Sequence, residues 1–339
     1  MSDLQADRRL ALLHKRILFS PWIQPINADI EKAKLMKDRL YDPILRYRKP
    51  LNNFDLIKKE LQDMKTEPTI IGHLLKQKKK ELINLVDLIK SVGTREFTHR
   101  AILQYGKPDV DLVRKARVLL NLETETHSVH YDSVSTIKKF LDVLLRHGFN
   151  WQVKKADIVV GASFNVTRKT IYINKNKLFS ENDIKRLIVH EIGTHITRAE
   201  NGKNQHYKLF YVGFPNYLIT EEGLAVYNEE KAGLLTNNIL KTYAGRVIAV
   251  DLALKNSFST TYNSLLEFFS KEEAWILTLR AKRGLIDTSK AGACPKDYLY
   301  LAGLYKVKEF VRKGGSIKDL YIGKIGTEHV PLLKYFKNR

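Results

Sequence analysis

The residues most plainly equipped for chemistry are His190, Glu191 and His195, set in Arg186-Leu-Ile-Val-His-Glu-Ile-Gly-Thr-His-Ile-Thr-Arg198. Two imidazoles on one helix face can ligate a zinc ion, and a glutamate beside the first can take a proton from a water that the ion acidifies. The pattern H-E-x-x-x-H is one residue longer than the H-E-x-x-H that suits a regular helix. At about 100° per residue, side chains five apart diverge by roughly 140°. One inserted residue, a π-bulge, removes that divergence. Gly193 tolerates distorted backbone at small steric cost. The spacing therefore predicts a bulge or kink within residues 191 to 195, and a straight helix there would count against shared metal binding. One histidine on an apolar helix is ordinarily a core residue, whereas two histidines flanking this glutamate and glycine favour a metal site.

The helix that carries them is well marked. Ser180 is followed by Glu181 and Asp183, a cap with acid in the first turn. Ile184, Leu187 and Ile188 continue at helical spacing, and Asn201-Gly202 reads as a left-handed stop. A third ligand is expected from Tyr217-Leu-Ile-Thr-Glu221-Glu222-Gly223-Leu-Ala225, where a second helix begins. Glu222 stands before the glycine as the ligand glutamate does in the E-G-x-A segments of other zinc peptidases. It lies 27 positions after His195 (222 − 195), enough for a loop and a return helix. Glu221 is its competitor, with an alternative role as an acid at a helix start.

At these residues the chain resembles a known family. His190-Glu-Ile-Gly-Thr-His195 followed by Thr220-Glu-Glu-Gly-Leu-Ala225 is similar to the tyrosine/phenylalanine carboxypeptidases, whose bacterial relatives are called QEGLA-motif proteins. Phe97-Thr-His-Arg-Ala-Ile-Leu-Gln-Tyr-Gly-Lys-Pro108 and Lys296-Asp-Tyr-Leu-Tyr-Leu-Ala-Gly303 resemble two further family segments. The likeness spans residues 95 to 310. It implies zinc-dependent removal of a C-terminal, usually aromatic, residue, with one Zn2+ per chain held by His190, His195 and Glu222. It also implies an arginine at position 198. Arg198, one turn past His195, would bind the substrate's terminal carboxylate or serve as a structural ion-pair partner. Microtubule tails are among the substrates the resemblance suggests. The chain lacks the long N-terminal extension associated with microtubule anchoring, which counts against tubulin itself.

Composition sets wider bounds. The 339 residues are 44% apolar, enough for a real core. Basic residues outnumber acidic ones, 58 against 37, for a net charge of +21. That surface attracts anionic partners, whether acidic peptide tails, nucleic acid or anionic membrane. The chain carries no C-x-x-C set and no RNP-like aromatic motif to support nucleic-acid recognition. One cysteine, Cys294, permits no internal disulfide and suits a reducing, cytoplasmic compartment. No signal-peptide pattern is apparent at the first residues, and no window is apolar enough to span a membrane.

The fold expected is α+β and mostly α. It comprises a helical region over residues 1–125 and a gluzincin-like metallopeptidase domain over 126–339, with a small β-sheet beside the H-E-x-x-x-H helix. Helices are expected near residues 3–18, 27–41, 68–90, 108–122, 133–147, 237–254, 261–269, 271–282 and 298–311. Strands are expected at 156–160, 163–166 and 170–173, with a turn at 167–169. The run Lys76-Gln-Lys-Lys-Lys80 reads as a solvated face.

The chemistry needs more than the metal set. Glu191 is the expected general base. An oxyanion donor is sought among His206, Tyr298 and Tyr300, and a cation for the terminal carboxylate among Arg198, Arg280, Arg283 and Lys296. A zinc carboxypeptidase acting on an acidic tail is the reading these residues favour. An aminopeptidase or endopeptidase is its near rival. The more distant one is a basic nucleic-acid- or cytoskeleton-binding protein with a structural metal.

Overall fold

The computed structural model describes residues 1–50, 53–125, 128–158 and 161–336, which are mostly helical with one three-stranded sheet. The chain forms two compact units, each assembled from discontinuous stretches: residues 1–122 with 240–302, and residues 123–239 with 303–339. The sequence division at residue 125 therefore needs correction at its second half, because 240–302 packs with the N-terminal helices. The reason is a set of long-range backbone and side-chain bonds. Leu45 N donates to Ile286 O at 3.0 Å, and Tyr47 Oη donates to Leu285 O at 3.0 Å. Thr288 Oγ1 donates to Pro43 O at 2.6 Å. Phe97, Ala101, Leu88, Leu285 and Cys294 share one apolar cluster.

The first unit is built on the helix Ile70–Lys90. Thr69 caps it by accepting from Gly72 N, and Ile71, Leu74, Leu75, Leu82, Val86 and Ile89 form its buried stripe. Three- and four-residue spacing puts these on one face, so burial rather than intrinsic propensity holds the helix. The basic run is not wholly solvated as its composition suggests. Lys78 is buried and pairs with Glu81 at 2.7 Å, and Lys79 donates to Met64 O.

The second unit holds the sheet and the metal helix. Strands β1 (Gln152–Ala156), β2 (Ala162–Asn165) and β3 (Thr170–Asn174) are ordered β1-β3-β2, with β1 parallel and β2 antiparallel to β3. Ile171 and Ile173 alternate into the core from the central strand, as a pleated strand requires. Lys169, at φ 45°, takes the tight turn before β3. The first strand lies earlier than the expected 156–160, and Val159 and Val160 fall outside the described residues. Its Lys154 and Lys155 gave no apolar signal because β1 is an edge, where lysine discourages further pairing.

Ile192 and Ile196 of the metal helix join Ile171, Ile173, Phe140 and Phe179 in the core of this unit, which seats the helix on the sheet. The second metal helix, Leu218–Lys231, crosses the helix Leu299–Arg312 where Gly223 meets Gly303. A methyl group on Gly223 would stand 2.1 Å from the Gly303 carbonyl carbon, so neither position admits a side chain. Gly202 has a similar role. It lies inside the helix Thr197–Lys203, not in a left-handed stop, and its Cα faces Phe210 O, 2.3 Å from where a Cβ would sit.

Candidate metal centre

The metal helix starts regularly and then changes pitch. Ser180 and Asp183 form a reciprocal cap, with Asp183 N donating to Ser180 Oγ at 3.0 Å and Ser180 N to Asp183 Oδ2 at 3.2 Å. After Glu181–Leu187 the backbone runs as a π-helix over Ile188–Ile196, then returns to α at Thr197. The i→i+5 pattern places His190 and His195 on one face, as their spacing requires. Hydroxyl groups support the wider turn. Thr194 Oγ1 donates to Val189 O at 3.1 Å and Thr197 Oγ1 to Ile192 O at 2.8 Å. From outside the helix, Tyr321 Oη donates to Gly193 O at 3.0 Å. Asn228 Nδ2 donates to both Thr194 Oγ1 and Tyr321 Oη at 2.8 Å.

The two imidazoles meet edge to face, with ring centroids 4.8 Å apart. Each Nε2 lies 3.9 Å from Glu222 Oε2, and all three side chains are buried. The ligand atoms of His190, His195 and Glu222 lie within 4.8 Å of one another. A tetrahedral ion with bonds of about 2.1 Å spaces its ligands roughly 3.4 Å apart, so a small contraction would complete the set.

Each histidine is oriented through its other nitrogen. His190 Nδ1 lies 2.6 Å from Glu229 Oε1, and His195 Nδ1 lies 2.9 Å from Glu221 Oε1. Burial would push the Glu221 carboxyl up, but Arg198, His195 and Lys324 outweigh it and bring it down to about 2. An ionised Glu221 can only accept, so His195 carries its proton on Nδ1 and leaves the Nε2 lone pair for a metal. Glu229 Oε1 orients His190 through Nδ1 while also pairing with Arg186 at 3.1 Å.

Two carboxylate oxygens here have no protein partner: Glu222 Oε2 and Glu191 Oε2, both buried. A buried acceptor left open is costly and calls for an explanation. Burial drives the Glu191 carboxyl up, offset in part by His190 and His195. Burial lowers the His195 imidazole, yet Glu221, Glu222 and Glu191 together raise it. Four buried carboxylates at 191, 221, 222 and 229 stand against the three cations Arg186, Arg198 and Lys324. The donor types, the convergence and the unpaired oxygens fit a divalent cation. Phe164 of β2 stacks on the His195 ring at 4.8 Å and 21°, which is how the sheet shapes the site.

Arg198 has no freedom to meet a substrate. It is fully buried, pairs through Nη1 with Glu221 Oε2, and donates to the carbonyls of Leu320, Gly323 and Ile325. Of its two sequence readings, the structural ion pair is the one present. Glu221 lies in the first turn of its helix, as a helix-start acid would, and its carboxylate links Arg198 to His195. His206 is exposed and rests edge-on against Tyr207.

The remaining candidates belong to the first unit. Tyr298 Oη donates to Tyr105 O at 2.8 Å, and burial pushes its phenol up to about 12. Arg280 and Arg283 both bind Asp297, Tyr300 stacks on Tyr243, and Lys296 is half-buried. Sequence reasoning missed Glu229, Asn228 and Tyr321. Glu229 had a signal, because it lies seven residues after Glu222 on the same helix face. Asn228 and Tyr321 had none, being joined to the π-helix only by the fold.

A buried His-His-Glu triad with each imidazole tied to a carboxylate defines a candidate mononuclear metal centre on a π-distorted helix. Comparison with known proteins assigns the family: residues 36–339 match the microtubule-associated tyrosine carboxypeptidases, and the chain belongs to that family. It is 25% identical over 342 residues to the mouse protein named "Putative tyrosine carboxypeptidase MATCAP2", covering 94% of this chain and 56% of that one. It is 32% identical over 160 residues to mouse microtubule-associated tyrosine carboxypeptidase 1, covering 44% of this chain and 33% of that one. The chain thus spans about half the length, or less, of these relatives. The crystal structure of a "putative lipoprotein" from Colwellia psychrerythraea aligns over 91% of this chain and 59% of its own, at 14% identity and a TM-score of 0.43. Among the described residues no helix is long and apolar enough to cross a membrane.

Proposed function

We propose that this chain is a zinc carboxypeptidase that removes a C-terminal aromatic residue, tyrosine first, from an acidic protein tail in the cytoplasm. The observation that carries the reading is the convergence of His190 Nε2, His195 Nε2 and Glu222 Oε2, with Glu191 Oε2 unpaired beside them. Two imidazoles and one carboxylate are the ligand set of catalytic zinc, which keeps a fourth position open. A zinc ion held there supplies Lewis acidity toward a peptide carbonyl. Glu191 takes the proton of the attacking water on its open Oε2 and returns it to the leaving amine. Its burial favours this exchange by lifting its proton affinity above that of a solvated carboxylate. Glu221 and Glu229 keep both Nε2 atoms deprotonated and aimed inward. The net charge of +21 speeds encounter with acidic tails, and the names of the relatives, tyrosine carboxypeptidases, point to tyrosine as the residue removed. A gluzincin-like core is part of the same reading.

The test is mass spectrometry of a peptide library incubated with the full chain. Peptides with a free C-terminus should lose a single terminal tyrosine or phenylalanine, C-terminal amides should stay intact, and chelator should stop the reaction. Internal or N-terminal cleavage, or indifference to chelator, would overturn the assignment.

A further inference from the structure

The first unit holds a second buried charge cluster, of opposite sign. Asp297 receives Arg280 Nε on Oδ2 and Arg283 Nη2 on Oδ1, so both its oxygens are engaged. Burial and the neighbouring guanidiniums of Arg246 and Arg283 hold Arg280 below its ordinary range, against the pull of Asp297. Two arginines therefore share one carboxylate, and Arg246 lies near enough for its charge to act on both Arg280 and Asp297. Arg246 lies over two aromatic faces, with its guanidinium carbon 4.3 Å from the Tyr300 centroid and 5.0 Å from that of Tyr243. Those rings are nearly parallel, 5.4 Å apart at 9°. Stacking fixes the guanidinium plane and leaves its N–H edges for other partners. Two of them, Nε and Nη1, are buried and have no hydrogen-bond partner.

We propose that Arg246, fixed on the Tyr243 and Tyr300 rings beside the Arg280–Asp297–Arg283 group, is an oxyanion site that takes a carboxylate. A buried N–H pair without an acceptor is costly, and local surplus positive charge selects an anion to relieve it. Arginine on an aromatic platform is a strong carboxylate receptor because its donors are pre-aligned. The same chemistry serves a peptide chain end or a small free anion. The inference does not depend on the metal-centre reading, since every residue in it lies in the first unit.

Binding is measured by calorimetry on the full chain carrying Glu191→Gln, with and without chelator, so that turnover plays no part. The probes are inorganic phosphate, an N-acetylated acidic peptide ending in tyrosine with a free carboxylate, and the same peptide as its C-terminal amide. The site predicts that Arg246→Gln weakens the free-acid peptide at least tenfold and leaves the amide unchanged. Equal wild-type affinity for both peptides, with phosphate weakened tenfold by Arg246→Gln, would also support it and assign it to a small anion. Unchanged affinity for both phosphate and the free-acid peptide in Arg246→Gln would overturn it. Should that variant not fold, the Arg246 Nε–H resonance of the folded chain decides: it shifts on adding either probe, or the proposal fails. Failure of the unsubstituted chain to cleave the free-acid peptide, with anion binding intact, would count against the carboxypeptidase reading and not this one.

Discussion

The two units each bury a cluster of charges, and the clusters are wrong in opposite directions. Around His190 and His195, carboxylates outnumber cations, and two carboxylate oxygens, Glu191 Oε2 and Glu222 Oε2, have no hydrogen-bond partner. Around Asp297, guanidiniums outnumber carboxylates and the open atoms are nitrogens, Arg246 Nε and Nη1 and Arg283 Nε. A purely structural ion cluster tends to close its hydrogen bonds, because a buried unpaired group costs more than a made bond returns. The Arg198–Glu221 pair, with three carbonyls on the guanidinium, is such a closed arrangement. The difference teaches that the sign of the unpaired atoms states what each site lacks: a cation in one, an anion in the other.

The contrast breaks most completely at a ligand. Glu222→Gln or His195→Ala should remove stoichiometric zinc and abolish peptide cleavage, as read by metal analysis and product assay, while the first unit stays folded by circular dichroism. Glu191→Gln should leave the zinc in place and slow cleavage by roughly 10²–10⁴-fold, the range of a lost general base. Asp297→Asn attacks the other cluster. It leaves two buried guanidiniums without their carboxylate and should cost about 3–5 kcal/mol in chemical denaturation, with zinc affinity little changed. Glu229→Gln sharpens the comparison from the metal side. It should weaken zinc by roughly 10- to 100-fold in a competition titration, because His190 loses the acceptor that fixes its tautomer.

Much of the metal centre was legible because metal ligation imposes local spacing. Side chains five positions apart, as at His190 and His195, cannot share a face of a regular helix, so the sequence itself demanded the π-turn now found at Ile188–Ile196. The glycines of the Glu-Glu-Gly-Leu-Ala and Tyr-Leu-Ala-Gly segments were visible as a pattern, yet their purpose, the Gly223–Gly303 crossing, needed the fold. Arg198 stayed ambiguous because a clamp and an ion pair ask for the same residue. Glu229 was passed over because a glutamate late in a helix normally faces solvent. The assignment of 240–302 to the first unit left no local trace, since it rests on contacts such as Thr288 with Pro43, 245 residues apart.

The most direct test is zinc K-edge absorption fine structure of the purified full chain with one equivalent of zinc. Two imidazole nitrogens at about 2.0–2.1 Å and oxygen donors at about 2.0–2.2 Å are predicted, with that signal replaced by the spectrum of water-coordinated zinc in His195→Ala. A spectrum without histidine scattering, or one unchanged by that substitution, would contradict the metal centre.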